Sequence, residues 1–137
     1  MPIFTWGDTY SVDVPEIDAQ HRGLVDLINR LHKVLIEDDD IGHLYEAKEQ
    51  TIDALVEYGI KHFESEEAYM CSIHFPEIQD HRKEHEMFVV KVNECREELM
   101  TVQGVRARHV MRIMTNWLHD HLLTKDKKYA EFAMDVS

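Results

Sequence analysis

Helix breakers are scarce, with Gly 5 and Pro 3 among 137 residues. That scarcity argues against many short strands joined by tight turns and favours long helices. Basic residues are also few, Lys+Arg 15 against Asp+Glu 27, for a formal net charge of -12. Such a surface repels nucleic acid and anionic lipid, which sets both aside as partners. No apolar run approaches the roughly 20 residues that span a bilayer, so no membrane association is expected. The opening MPIFTWGDTY is neither basic nor continuously apolar and does not read as a signal peptide. The two cysteines, Cys71 and Cys95, form no CxxC pair. A disulfide between them stays open, but two thiols in an acidic chain read more simply as reduced, in a cytoplasmic protein.

What is present is a hydrophobic fraction of 44% and ten histidines. That fraction suffices for one core, and the length suits a single domain. An average chain of this size carries roughly two or three histidines. No internal repeat or low-complexity stretch occurs beyond the acidic run Glu37–Asp40.

Four segments carry a helical period. The first starts near Asp18, a plausible N-cap, and places Leu24, Val25, Ile28, Leu31 and Leu35 on one stripe before Gly42. The second runs from about His43 to Cys71 and is broken at Phe75-Pro76. The third runs from about Ile78 to Met100, and the fourth from about Val105 to Leu123. Short connections make neighbouring helices antiparallel. The expected fold is all-α: an up-down-up-down antiparallel four-helix bundle with an extended N-terminal arm. Residues 1–17 form the arm, held by Phe4, Trp6 and Val12; residues 18–123 form the helices, and 124–137 a polar tail.

The apolar stripes also contain ionisable groups. His21 lies one turn before Leu24. His62 and Glu66 share a face with Leu55, Tyr58 and Tyr69, His81 and His85 with Phe88 and Val92, and His121 with Val110, Ile113 and Trp117. Burying such groups unpaired costs several kcal/mol each, against a net stability of roughly 5–15 kcal/mol for a whole domain. A metal cluster offsets this, because ligand bonds replace the lost water. His62 and Glu66 are spaced i, i+4, as are His81 and His85, so each pair projects together. His121 and Asp126 are five apart, about 140° on an ideal helix, so Asp126 faces inward only if the helix ends or distorts near Thr124. That distortion is expected. Five imidazoles and two carboxylates exceed what one metal uses. Two metals bridged by Glu66, Asp126 and a solvent-derived oxygen would use all seven and leave one position open for a diatomic ligand. Imidazoles outnumber carboxylates, which disfavours highly oxidised iron and leans toward binding O2 over cleaving it.

These residues resemble the hemerythrin family, in particular its bacterial single-domain members. The motifs are Ile17-Asp18-Ala19-Gln20-His21, His62-Phe63-x-x-Glu66-Glu67, His81-x-x-x-His85, and Trp117-Leu118-x-x-His121 followed by Asp126. Each is weak alone; four in order from Trp6 through Tyr129 are specific, and no family ligand is missing. The resemblance implies a non-haem centre of two iron ions with an oxo or hydroxo bridge. His81, His85 and His121 would ligate one iron, His21 and His62 the other, and Glu66 and Asp126 would bridge. O2 would bind at the open position, under an apolar pocket of Leu24, Phe63, Trp117, Leu118 and Leu122.

Plainer readings attach to other residues. Phe63 and Trp117 would be core aromatics in any bundle. His32 is read as a boundary residue, and His43, His74, His109 and His119 as surface residues. Met70, Met87, Met111 and Met114 read as core filler, and Glu37–Asp40 as a solvated helix end that could dock an unidentified protein partner. A monomer is expected, since charge covers the outer helix faces. The function expected is reversible O2 binding for storage, delivery or buffering, with no enzymatic activity. The alternatives are an O2 or redox sensor, a di-iron peroxidase or NO-handling enzyme, and iron storage or a zinc-binding structural protein. An enzyme would need a proton donor, and only Glu67, Asp120 and Lys125 adjoin ligands as candidates.

Overall fold

The arm leads directly into the first helix, and Pro15 sets where that helix begins. In a computed structural model, residues 4–34, 41–101 and 104–136 are described, with side chains except at 41–47, 95, 97–101, 104–108, 110 and 136. The acidic run Glu37–Asp40 and the side chain of Cys95 lie outside the described residues. Helix α1 spans Pro15–His32, α2 Ile41–Ser72, α3 Ile78–Thr101, α4 Gly104–Asp120 and α5 Asp126–Val136. A π-helical turn, His121–Lys125, joins α4 to α5, so the two act as one interrupted fourth helix. Helices α1 and α3 each pack against α2 and α4, the arrangement of the expected up-down-up-down bundle. Among the described residues, no helix is long and apolar enough to cross a membrane.

Asp18 is not the N-cap. Val14 occupies that position and Pro15 stands in the first turn, where its fixed φ suits the helix and its missing N–H costs nothing. Asp18 turns back instead, accepting from Val12 N at 2.9 Å and Ser11 Oγ at 2.6 Å, and so ties the arm to α1. Phe4 and Val12 of the arm are buried, and Trp6 packs against the core. Phe4 also exchanges backbone hydrogen bonds with the Asn29 side chain, at 3.0 and 2.8 Å.

Helix α2 ends in a Schellman motif. Phe75 N donates to Met70 O at 2.9 Å and His74 N to Cys71 O at 3.1 Å, with His74 at φ 58. Phe75 and Met70 then pack together in one cluster, as such motifs favour. Pro76 follows and prevents the helix from continuing.

The tail differs from expectation. Residues 126–136 are helical, and Tyr129 and Ala130 are buried. Thr124 through Lys128 are polar in succession, so the apolar period of α5 begins only at Tyr129. Met87 also departs from expectation: it is 61% exposed, whereas Met70, Met111 and Met114 are core residues. In α4 the buried stripe is Met111, Met114 and Leu118, with Ile113 and Trp117 at its margin. His32 lies at the boundary, and His74, His109 and His119 are exposed. Cys71 is an exposed free thiol.

The core is two apolar clusters, one containing Leu24, Ile28, Phe63, Phe88 and Leu118, the other Ile17, Met70, Phe75 and Tyr129. A polar layer lies between them on every helix. His21 falls between Ile17 and Leu24, Glu66 between Phe63 and Met70, His81 and His85 between Ile78 and Phe88, and His121 and Asp126 between Leu118 and Tyr129.

Candidate metal centre

All seven side chains singled out in the sequence meet in that polar layer. Their exposures run from 0% at Glu66 and Asp126 to 4% at His81 and His121. The i, i+4 spacing aims His62 with Glu66 and His81 with His85, as expected. Asp126 joins them because the fourth helix distorts where the spacing required. In the π turn Asp126 N donates to His121 O, five residues back. Thr124 Oγ1 takes the Asp120 carbonyl, which competes with ordinary helical bonding and favours the wider turn.

The two carboxylates each divide their oxygens between two sets of imidazoles. Glu66 Oε1 lies 3.0 Å from His85 Nε2 and 3.5 Å from His81 Nε2. Glu66 Oε2 lies 2.9 Å from His21 Nε2 and 3.4 Å from His62 Nε2. Asp126 Oδ1 faces His81 Nε2 at 2.9 Å and His121 Nε2 at 3.1 Å, while its Oδ2 faces His21 Nε2 at 3.1 Å. One side therefore holds His81, His85 and His121, the other His21 and His62. Glu66, His81, His85, His121 and Asp126 offer ligand atoms within 4.8 Å of one another, as do His21, His62 and Glu66.

His21 Nε2 and Glu66 Oε2 share a hydrogen bond at 2.9 Å, but most of this proximity is not hydrogen bonding. The Nε2 atoms of His81, His85 and His121, with Glu66 Oε1 and both oxygens of Asp126, are buried without a hydrogen-bond partner. Donor atoms at right angles around an ion with bonds of about 2.1 Å stand about 3.0 Å apart. Five of the seven separations, at 2.9–3.1 Å, match that edge, so the nitrogen and oxygen atoms converge on shared points. The donor set fits metal cations.

The surroundings hold these side chains in place. His62 Nδ1 meets Gln20 Oε1 at 2.7 Å, and His85 Nδ1 meets Glu67 Oε2 at 3.2 Å. Glu67 Oε1 in turn accepts from Arg82 Nε at 3.0 Å. Tyr129 donates to Glu66 Oε2 at 2.8 Å. Trp117 stacks on His121 with centroids 4.7 Å apart, and Phe63 on His85 at 4.0 Å. Leu24, Phe63, Leu118 and Leu122 are buried in the adjoining cluster, with Trp117 packed on its edge.

Sequence reasoning gave no role to Gln20, Arg82 or Tyr129 and named Glu67 only as a candidate proton donor. Gln20 precedes His21, and Tyr129 follows Asp126 by three on the same helix face; these spacings were the available signals. Asp120 is exposed, and Lys125 points toward Glu84 at 4.0 Å.

Without a cation the groups hold one another as acids and bases. Burial opposes a charge on His21, but the Asp126 and Glu66 carboxylates outweigh it and raise the imidazole to about 10. The same opposition leaves His81 raised to about 9. Glu66 is held well below the usual carboxylate range, its burial outweighed by His62, His21 and His81. Asp126 is likewise lowered, against burial and the nearby Glu66, chiefly by His121. Tyr129 is raised by burial and by both carboxylates, so its proton stays on the phenol. Two imidazoliums thus balance two carboxylates, and a cation must displace those protons to bind.

Residues 12–133 match the family model described as the hemerythrin HHE cation binding domain. The chain is 28% identical over 130 residues to a bacteriohemerythrin of Clostridium acetobutylicum, covering 94% of this chain and 100% of that protein. It is 27% identical to one of Methylococcus capsulatus, covering 94% and 95%. It is 26% identical to a myohemerythrin of Theromyzon tessulatum, covering 92% and 90%. Its fold is similar to that in a crystal structure of wild-type hemerythrin, with TM-score 0.79 and 23% identity over 94% of this chain and 96% of that one.

Proposed function

Because the chain belongs to the hemerythrin family, we propose that it binds O2 reversibly at two iron ions joined by an oxo or hydroxo group. The observation that carries this reading is the division of Glu66 and Asp126, each with one oxygen on the side of His81, His85 and His121 and the other on the side of His21 and His62. His81, His85 and His121 would complete one ion. His21 and His62 would leave the other with an open position. Two iron ions held by these residues would supply the electrons for reversible O2 binding.

The chain's own residues keep such a site dry and fixed. Leu24, Phe63, Leu118 and Leu122, with Trp117 at their edge, form an apolar cluster adjoining the site and would exclude water from it. Stacking holds the His121 and His85 rings in plane. Gln20 and Glu67 accept from Nδ1–H of His62 and His85, which leaves each Nε2 lone pair aimed inward. Tyr129 holds one bridging oxygen of Glu66 in place.

Storage, delivery or buffering of O2 suits this arrangement better than turnover. Among the three candidate proton donors beside ligands, Glu67 is committed to His85 and Arg82, Lys125 faces Glu84, and Asp120 is exposed. The same proposal has the protein act as a cytoplasmic monomer, consistent with its net charge of -12.

The test is anaerobic loading with ferrous iron, a count of iron per chain, and visible spectra as O2 is admitted and withdrawn. Two irons and a spectral change that reverses support the carrier. Irreversible oxidation on first contact, or turnover with peroxide or NO, overturns it in favour of a sensor or an enzyme.

A further inference from the structure

Of the five imidazoles, His85 alone among the described residues has a carboxylate hydrogen-bonded to its outer nitrogen. Glu67 Oε2 meets His85 Nδ1 at 3.2 Å, whereas His62 Nδ1 meets the neutral amide of Gln20. The Nδ1 atoms of His21 and His121 are buried without a partner. Glu67 does not act alone. Its other oxygen takes Arg82 Nε at 3.0 Å, and the two side chains are 24% and 40% exposed. They line a groove of about 500 Å³ between α2 and α3, with Ile60, Glu86 and Val90 on its walls. His85 lies at its base, 3% exposed and stacked on Phe63.

We propose that Glu67, held by Arg82, is a positioning residue that acts through His85, fixing the ring's tautomer and setting how strongly this imidazole donates to a cation on the three-imidazole side. A carboxylate accepting from Nδ1–H pulls the proton outward and makes Nε2 a better donor. An amide fixes the same tautomer without that charge, so Glu67 does more at His85 than Gln20 does at His62. Arg82 moderates the effect by drawing the carboxylate's charge toward the groove. Stronger donation favours the more highly charged state of a redox ion. Glu67 therefore lowers the reduction potential of the centre, and Arg82 raises it. The potential readout rests on the di-iron reading; the cation-affinity readout needs only that the site binds metal.

The variants are Glu67→Gln, Glu67→Leu and Arg82→Gln, with Glu86→Gln as a charge change in the same groove that does not bond His85. Cobalt(II) titration of the cation-free chain reports affinity without redox chemistry or O2. Glu67→Leu should weaken one of two bound ions about 10–100-fold, and Glu67→Gln less, because it restores the tautomer. In the iron-loaded protein Glu67→Gln should raise the potential, by about 59 mV if the oxidised ion alone is held tenfold more weakly. Arg82→Gln should lower it, and Glu86→Gln should leave it in place. A purely structural pair would move the potential the same way in both Glu67→Gln and Arg82→Gln, and that result overturns the inference. So does an equal shift from Glu86→Gln, or an unchanged cobalt affinity in Glu67→Leu while two ions still bind. If the unaltered chain binds no cobalt, the metal-site reading falls and this inference with it.

Discussion

Tyr129 donates its phenolic hydrogen to Glu66 Oε2 at 2.8 Å, and the same oxygen faces His21 and His62. The bond joins the last helix to the second at the centre of the bundle. Both residues are 0% exposed, so water cannot replace the hydroxyl if it is removed. In the cation-free protein Tyr129→Phe should therefore cost about 1–3 kcal/mol. The loss should shrink once a cation satisfies the carboxylate. Urea unfolding with and without cobalt(II) checks both halves; an equal cost in the two states would mean that the hydroxyl does not serve Glu66.

The stability of the cation-free protein should fall as pH rises above neutrality. His21 and His81 are raised from 6.5 to about 10 and about 9. Groups raised on folding contribute fully below their unfolded value and lose that contribution as pH climbs through the folded one. Glu66 and Asp126 are lowered from 4.5 and 3.8 and act in the opposite sense, losing theirs as pH falls below those values. Maximum stability should lie between the two ranges, with a decline from about pH 7 to 10. Cation affinity should rise across that same interval, because binding displaces protons from His21 and His81. Urea midpoints that stay flat from pH 7 to 10 without metal would contradict the charge balance described for the site.

Six of the seven buried side chains were legible because each sits on an apolar stripe where an ionisable group needs a reason, and Asp126 was legible from its spacing to His121. The i, i+4 pairs of α2 and α3 depend only on local helix geometry, which a single sequence displays. Even the distortion after His121 could be inferred, since Asp126 faces inward by no other route. What stayed hidden depends on contacts between distant elements. Glu67 looks like a surface residue from α2 alone; Arg82 and His85 of α3 give it a role. Tyr129 follows five polar residues, so its helix has no visible stripe until the partner Glu66 is known. Pro15 outweighed Asp18 at the start of α1 because its fixed φ suits the first turn, whereas Asp18 finds its partners back in the arm. Met87 is exposed although it lies in an apolar-rich segment, since hydrophobic character alone does not say which face is buried.

Helices α1 and α2 approach closely at Gly23. A Cβ there would lie 2.1 Å from Tyr58 Oη and 2.5 Å from its Cζ. Gly23→Ala must therefore push the Tyr58 ring from its place against the core. Replacing glycine inside a helix by alanine is otherwise worth about 0.5–1 kcal/mol of stability. The sign of the substitution should thus depend on its neighbour. Gly23→Ala should destabilise the unaltered chain and stabilise a Tyr58→Ala chain by about 1 kcal/mol. A double-mutant cycle by urea unfolding reads the difference, and additive effects would mean that the ring moves aside freely.

The π turn makes a sharper demand on sequence spacing. It uses five residues for nearly the rotation that an α-helix completes in four. Deleting Thr124 should let His121 and Asp126 stand i, i+4 in a regular helix, both still facing the centre. Within α5 the step from Asp126 to Tyr129 is unchanged, so the hydroxyl still reaches Glu66. Moving the carboxylate by substitution, Lys125→Asp with Asp126→Lys, gives the same nominal i, i+4 spacing but keeps the five-residue turn. That variant aims its carboxylate away from the centre and buries a lysine among imidazoles. The deletion should retain two cobalt(II) ions per chain with affinity reduced less than about tenfold, and the swap should lose at least one ion. Binding lost in both would mean that the turn holds more than the direction of Asp126. Binding kept in both would mean that this carboxylate is not needed as a bridge.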